Sequence, residues 1–398
     1  MQFSESELHG RAKVNPDDFD TPETLKTGKL VPTIKGFAFL PDPLPPRRIL
    51  DLAELVPALS RAERALGELS GVGRTLPNPY LLVRPFMRRE AVASSKIEGT
   101  VTNLPQLLLF ELDHDSNRAP SDAREVWNYM RALEFALGQL DALPISGRLI
   151  KETHRILLRG VEIHRGARIV PGEYRSDQNW IGAGKIEYAR FVPPPPQEVD
   201  NAMSNLEKYI HQDDDEVPLL IRLALIHYQF ETIHPFPDGN GRVGRLLIPL
   251  ILCARKEISQ PLLYLSSFFE RNYDDYVDHM LTVSTHGLWE RWISFFLTAV
   301  EESCKEAIER ARALQDLQER YRERVQRARS SALLGRLIDL LFEHPAITTR
   351  YAADRLKVTY NAAKNNIEHL VGDGILRAGS DEGRPKLFFA DAIIEILS

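Results

Sequence analysis

The chain has 398 residues, 43% of them hydrophobic, which allows two or three cored domains and excludes a generally disordered polypeptide. A formal net charge of −6 argues against bulk electrostatic attraction to nucleic acid. Cys253 and Cys304 supply no disulfide framework or zinc spacing, and with no long apolar run and no signal-peptide-like start, a soluble cytoplasmic protein is expected, with no membrane contact.

Residues up to about Leu50 are rich in proline and polar groups. Phe37 to Arg47 reads as an extended arm laid on another surface, because proline fixes φ and removes a donor. Arg48 to Leu69 has helical periodicity in Leu50, Leu52, Leu55, Leu59 and Leu66, and Ser70-Gly71-Val72-Gly73 reads as a loop. Leu81 to Gly99 is a second helix, with Gly99 placed to end it. Ser94 and Glu98, four apart, share a face. Glu98 stands where the helix dipole disfavours a carboxylate, which invites a cationic partner; the plainer reading is an exposed helix end. Ser121 to Leu140 and Ser146 to Leu158 follow as amphipathic helices behind serine caps. His154, among Ile150, Ile156 and Leu157, reads as a core or surface histidine without metal-partner spacing. Gly166 to Pro196 changes character: Gly172, Gly182, Gly184 and the run Pro193 to Pro196 punctuate Tyr174, Trp180, Ile181 and Phe191, which predicts a β-hairpin.

Two apolar runs, Leu219 to Phe230 and Leu246 to Cys253, predict buried helices. Between them runs Ile233-His234-Pro235-Phe236-Pro237-Asp238-Gly239-Asn240-Gly241-Arg242-Val243-Gly244-Arg245, a loop leading into a helix start. Gly239 and Gly241 can take positive φ and turn backbone N–H groups inward as an anion nest, to which the helix N-terminus adds its own unpaired N–H groups. Arg242 and Arg245 sit three apart and both can fork onto phosphate oxygens; two cations at a helix N-terminus are poor choices unless an anion offsets them. Asp238 is a hard oxygen ligand suited to magnesium bridging phosphates, and His234 is the candidate general base. The plainer alternative is a capped helix-turn-helix with incidental charges.

Leu262 to Val300 continues helical, with Trp289, Trp292, Phe295 and Phe296 spaced for core packing. Tyr273 and Tyr276 suit stacking near a nucleotide base, or the core. Glu301 to Arg329 is a charged connecting helix. From Ser331 a small separate domain is expected. It has helices at Leu333 to Phe342, Thr348 to Leu356 and Tyr360 to Val371, then strands at Ile375 to Arg377 and Leu387 to Phe389 around the loop Asp381 to Lys386, which is winged helix-turn-helix order. Its eight basic and nine acidic side chains leave no basic face, so protein contact or homodimerisation is favoured over DNA binding.

The central stretch resembles the HxFx(D/E)GNGRxxR signature of Fic-domain proteins, which transfer AMP from ATP to a protein hydroxyl. His234, Phe236, Asp238, Gly239, Asn240, Gly241, Arg242 and Arg245 fill every defined position. The resemblance covers about residues 30–300 and implies a mainly α fold, a helical Fic core with a β-hairpin flap, followed by the winged helix-turn-helix tail. The implied division is an N-terminal extension (1–110), the catalytic core (111–300), a linker helix (301–330) and the tail (331–398). It implies ATP as substrate and Mg2+ held by Asp238. His234 would take the proton of a Ser, Thr or Tyr hydroxyl on a target protein or on the chain itself. Gly239, Asn240, Gly241, Arg242, Val243, Gly244 and Arg245 would bind phosphates, with the Asn240 side chain and loop N–H groups stabilising charge on the transferred group. Ser94, Glu98 and Gly99 resemble the family's inhibitory motif (S/T)xxxE(G/N), whose glutamate pairs with the second motif arginine and blocks productive γ-phosphate placement. PGEYR and NWIG before the proline run resemble the flap, so Asn179, Trp180, Ile181 and Gly182 are expected to pin an extended target segment. Two alternatives stay open: a Fic enzyme that removes AMP (Glu98 orienting a water) or uses another nucleotide, and a DNA-binding regulator with a nucleotide-sensing site. Every motif residue lies upstream of the tail, which is therefore expected to be dispensable for chemistry.

Overall fold

The computed structural model describes residues 18–20, 27–33, 36–47, 50–75, 80–112, 121–161, 169–182, 185–212, 216–327, 332–379 and 386–397. The expected flap start at Gly166 and the tail loop from Asp381 lie outside these residues, except Lys386. The fold is mainly helical, as expected. Its centre is a pair of helices, α7 (Leu219–Ile233) and α8 (Asn240–Ala254), buried over almost their whole length. Each is enclosed on every side, so the polar side chains that they carry must find partners inside the fold.

Helices α1 (Leu52–Thr75) and α2 (Tyr80–Ile97) cover this pair, with α3 (Leu104–Leu112), α4 (Ser121–Gln139), α5 (Gly147–Leu157) and α6 (Pro196–His211). After α8 come α9 (Ser266–Arg271), α10 (Tyr273–His286) and α11 (Trp289–Arg327). The predicted loop at Ser70 to Gly73 does not form; α1 runs on to Thr75, because Ser70 Oγ donates to the Glu257 carbonyl at 2.9 Å and packing outweighs glycine's low helix propensity. Nor does a linker begin at 301. One 39-residue helix, α11, spans that boundary with no Pro or Gly to stop it. It lies parallel to α1, with Asp51 N on Glu290 and ion pairs Arg61–Glu301 (2.9 Å) and Arg312–Glu68 (2.8 Å) in the same order along both helices.

The proline-rich arm forms a hairpin that periodicity did not reveal. Strand β1 (Gly28–Thr33) pairs antiparallel with β2 (Gly36–Pro41), and Phe39 N donates to the Val192 carbonyl at 2.9 Å, bracing the flap from outside. The flap differs from expectation. Among its described residues it holds one antiparallel bridge, Ile181 with Phe191, and a short 3-10 turn, Ile186–Tyr188, in place of a hairpin of regular strands. Pro193 to Pro196 lack donors for a ladder, and the Arg175 and Asn179 side chains bond to the His234 loop.

The tail folds as α12 (Ala332–Glu343), β3 (Ala346–Thr348), α13 (Thr349–Leu356), α14 (Tyr360–Gly372), β4 (Arg377–Ala378), β5 (Leu387–Phe389) and α15 (Asp391–Leu397). Its sheet has the order β3-β5-β4, antiparallel throughout. Thr348 and Thr359 cap α13 and α14 by accepting from Tyr351 N and Ala362 N. The expected separateness is not seen: Leu337, Leu341 and Phe342 belong to the same apolar core as Phe86 and Met87 of α2. No helix of the described residues is long and apolar enough to cross a membrane.

Candidate active site

A cavity of about 150 Å³ opens at the junction of α7 and α8. His234, Glu231, Thr232, Gly241 and Arg245 line it from these helices, Glu98 and Ile97 from the end of α2, Ile181 and Phe191 from the flap, and Tyr273, Tyr276 and Met280 from α10. The sequence-predicted base, phosphate arginine and inhibitory glutamate therefore meet in one place.

His234 ends α7 in the left-handed region, φ 49°, with its N–H on the Phe230 carbonyl at 3.0 Å. A β-carbon residue held there is a strained conformation that the surrounding structure must enforce. Its Nδ1 lies 3.2 Å from the Glu231 carbonyl. A carbonyl only accepts, so Nδ1 donates and Nε2 keeps its lone pair. Burial lowers its pKa to about 4, with the backbone bond opposing and Arg175 assisting. The imidazole is thus neutral at neutral pH, with the Nε2 lone pair free to accept a proton.

The loop after His234 is fixed from both sides. The Phe236 ring stacks on His154 at 3.8 Å, and His154 donates from Nε2 to the Asp238 carbonyl at 2.9 Å while its Nδ1 accepts from Gly172 N. Of the core and surface placements expected for His154 it takes the core, and its burial lowers its pKa to about 4; clamping the motif loop is a role its helical neighbours did not signal. Arg175, itself buried, donates to the His234 carbonyl at 2.9 Å and to the Pro194 carbonyl at 2.5 Å. Asn179 Nδ2 reaches the Phe236 carbonyl at 3.2 Å, so the flap braces the loop. Trp180 packs with Ala38, Ile186 and Val192 away from the cavity, Ile181 lines the cavity, and Gly182 turns the chain at φ 90°.

Asn240, expected to reach the transferred group, instead closes the turn. Its Oδ1 accepts from Phe236 N and its Nδ2 donates to the Phe236 carbonyl, both at 2.7 Å. Gly239 takes the expected positive φ, 78°. Gly241 does not; it lies in the first turn of α8. What matters there is the missing side chain, since a Cβ would collide with Glu98 Oε1 and with Arg245. Gly241 thus makes room for Glu98 Oε1 and Arg245 over the first turn, where backbone N–H groups lack intrahelical partners. Val243 and Gly244 are buried in the body of α8.

The two motif arginines have different surroundings. Arg245 faces the cavity and is held by the predicted inhibitory segment: Nε donates to Ser94 Oγ and Nη2 to the Ser94 carbonyl, both at 2.9 Å, and Nη2 donates to Glu98 Oε1 at 2.7 Å. Gly99 makes the turn beyond, at φ 91°. Burial alone would raise the Glu98 carboxyl pKa; the Arg245 and Arg242 guanidiniums outweigh it and hold it below the usual carboxylate range. Arg242 is not among the residues lining the cavity. Its Nη1 donates to Glu125 Oε2 at 2.8 Å and its Nη2 lies 3.6 Å from Asp238 Oδ1. Glu125 also accepts from Thr100 Oγ1 at 3.3 Å, joining Arg242 to the segment that carries Glu98.

Two further carboxylates and one tyrosine complete the site. Asp238 accepts from Gly239 N at 2.6 Å and is 29% exposed. One accessible carboxylate fits Mg2+, which is commonly bound by one or two carboxylates with substrate phosphates supplying the rest; among the described residues no group of three His, Cys, Asp or Glu gathers as a protein-only site. Glu231, unnoticed in the sequence, has a buried Oε1 without a hydrogen-bond partner, packed over Gly244. Burial pushes its carboxyl up to about 8; Glu98 adds to this and Arg245 opposes it. Tyr276 has one edge on the cavity, but its ring stacks on Phe269 at 4.3 Å and its hydroxyl bonds His227 Nε2 at 2.8 Å. That hydroxyl also hydrogen-bonds Arg245, so Tyr276 offers the cavity a ring edge while its polar end is already engaged.

Residues 56–138 match the Fic/DOC family N-terminal region, and residues 144–252 match the Fic/DOC family. A probable protein adenylyltransferase of Aquifex aeolicus is 34% identical over 108 residues, 27% of this chain and 30% of that protein. Protein adenylyltransferase Fic of Nematostella vectensis is 34% identical over 124 residues, 29% and 27% of the respective chains. The chain thus spans under a third of the length of these relatives. Among solved structures, a Fic family protein from Desulfovibrio desulfuricans G20 is similar with a TM-score of 0.54 at 20% identity, over 87% of this chain and 98% of that one. A Fic-1 variant from C. elegans gives 0.51 at 20% identity, over 65% and 74%. At such identity the likeness is one of fold. The chain thus carries the Fic/DOC family N-terminal region over residues 56–138 and the Fic/DOC family region over residues 144–252, on a fold shared with solved Fic structures.

Proposed function

We propose that the protein is a protein adenylyltransferase that moves AMP from ATP to a Ser, Thr or Tyr hydroxyl of a target protein and of itself, and that Glu98 restrains it. The observation that carries this reading is the neutral His234, with Nε2 unprotonated, sharing one cavity with Arg245. The target hydroxyl gives its proton to His234 Nε2 as its oxygen bonds to the α-phosphorus. The bond from that phosphorus to the bridging oxygen breaks, and pyrophosphate leaves. N–H groups of the first turn of α8 face the developing charge, a fixed polar environment that needs no reorganisation. Asp238 would hold Mg2+, which when bound would neutralise charge on the phosphates. Arg242 keeps Asp238 and the Glu98 segment in place through Glu125, and Arg245 binds the outer phosphates once Glu98 releases it.

The test is incubation of pure wild type and Glu98→Gly with α-labelled ATP, with labelled UTP, and with protein already carrying AMP. Label from ATP on protein, stronger in Glu98→Gly, is the expected result. Incorporation from UTP alone would reassign the nucleotide. Because the Glu98 carboxylate shares the cavity with His234, release of AMP by wild type but not by Glu98→Gly would replace transfer with removal.

A further inference from the structure

The helix that carries Glu98 is gripped at a second point, outside the cavity. Arg88 of α2 is fully buried and forks onto Glu111 of α3, Nε to Oε1 at 2.8 Å and Nη2 to Oε2 at 2.7 Å. The same guanidinium donates from Nη1 to the Glu343 carbonyl at 2.5 Å and meets His344 Nδ1 at 3.2 Å. One turn earlier, Arg84 Nη1 lies 2.8 Å from His344 Nε2. Glu343 and His344 end α12, the first helix of the tail. A buried ion pair is a weak source of net stability; its directional bonds serve better to fix one arrangement against others. None of these residues lines the cavity, so the proposed reaction does not use the cluster.

We propose that Arg84, Arg88, Glu111 and His344 are positioning residues for Glu98. Through them the tail holds α2 in the register that sets Ser94 and Glu98 on Arg245, and anything that draws the tail off α2 relieves the block. The inference rests on Glu98 being inhibitory. The coupling is direct: α2 is one continuous helix from Tyr80 to Ile97. Ten residues separate Arg88 from Glu98, about 15 Å along a helix, and such an element passes a shift at one end to the other as a rigid body. A shift on the order of 1 Å at the Arg245–Glu98 contact is enough to break a hydrogen bond of 2.7 Å.

His344→Ala in the full chain tests this, because it removes the tail's side-chain grip and leaves Arg88 paired with Glu111. AMP incorporation is expected to rise about tenfold over wild type, the effect of one charge-assisted hydrogen bond lost from the closed arrangement. Amide exchange at Glu98, Gly99 and Thr100 should quicken with it. Added to Glu98→Gly, the substitution should bring no further gain, which separates an effect through Glu98 from general loosening. Unchanged incorporation and exchange in a folded His344→Ala protein would overturn the proposal, as would an equal gain in the Glu98→Gly background. Should His344→Ala fail to fold, Arg84→Ala, whose side chain is 28% exposed, carries the same test. If Glu98→Gly itself transfers no nucleotide, the adenylyltransferase reading fails, and exchange at Glu98 to Thr100 still decides whether the tail holds this segment.

Discussion

Replacing Glu98 with glycine removes the one carboxylate that occupies Arg245 in the cavity. The bond from Arg245 Nη2 to Glu98 Oε1 is 2.7 Å, and the Glu98 side chain is 31% exposed. A hydrogen bond to a charged group contributes about 1.5–3 kcal/mol, which partial solvent screening reduces to about 1–2 kcal/mol. An ATP phosphate competing for Arg245 in the wild type must offset that amount, or lie with its α-phosphorus displaced; a displacement of about 1 Å costs on the order of a hundredfold in rate. Transfer by Glu98→Gly should therefore rise between about ten- and a hundredfold. The gain should appear mainly in kcat, with a change of a few fold in KM. The variant also leaves Arg245, buried at 2% exposure, without its carboxylate hydrogen-bond partner, held by Ser94 and the Tyr276 hydroxyl, so its Tm should fall without nucleotide and recover more on adding ATP than the wild type's does. Single-turnover incorporation of α-labelled ATP, with a thermal melt of the same preparations, measures both. A folded variant with transfer equal to or below wild type would refute the inhibitory role.

Other consequences follow from the same geometry. Asn240→Ala strands the N–H of Phe236 and leaves its carbonyl to Asn179 Nδ2 alone, and should cost about 1–3 kcal/mol in denaturant unfolding and lower transfer through a loosened loop. His154 and His234, with pKa lowered to about 4, and His227, lowered to about 3, are buried neutral. The unfolded chain binds more protons than the folded one between those values and about 6.5, so Tm should drop steadily from pH 6.5 to pH 4; a flat profile there would contradict their burial. Glu231, raised to about 8, ionises above that pH and then opposes the phosphates. KM for ATP should rise above about pH 8 in wild type, and this rise should be absent in Glu231→Gln.

The site was legible where its chemistry is contiguous. His234, the nest at Gly239 and the paired arginines lie within one turn and one helix start, and Ser94 and Glu98 share a helix face, so spacing alone presents them. Glu125, Glu231, Arg175 and the clamping role of His154 escaped notice because what they do depends on partners far along the chain, or on a buried atom that no spacing reveals. Asn240 shows the reverse error: its residue type suits a polar ligand, yet the tight turn claims its amide. The helices were read well wherever an apolar stripe runs unbroken. The limits failed at Gly71 and at residue 301, where packing of α1 along α11 decides where a helix stops. The flap keeps antiparallel pairing only at Ile181 and Phe191 among its described residues, because glycines and aromatics signal a hairpin equally well whether hydrogen bonds run across it or onto the motif loop.

The central claim is that His234 moves AMP from ATP onto protein hydroxyls. Intact-mass spectrometry of Glu98→Gly, beside Glu98→Gly combined with His234→Ala, after incubation with ATP and Mg2+ tests it most directly, with ATP binding checked for both. The account predicts a mass gain of AMP units in the first and none in the second, while both still bind ATP, since the imidazole acts on the hydroxyl proton and leaves the phosphates to Arg245 and the first turn of α8. Equal AMP gain in both proteins, or none in either, would contradict it.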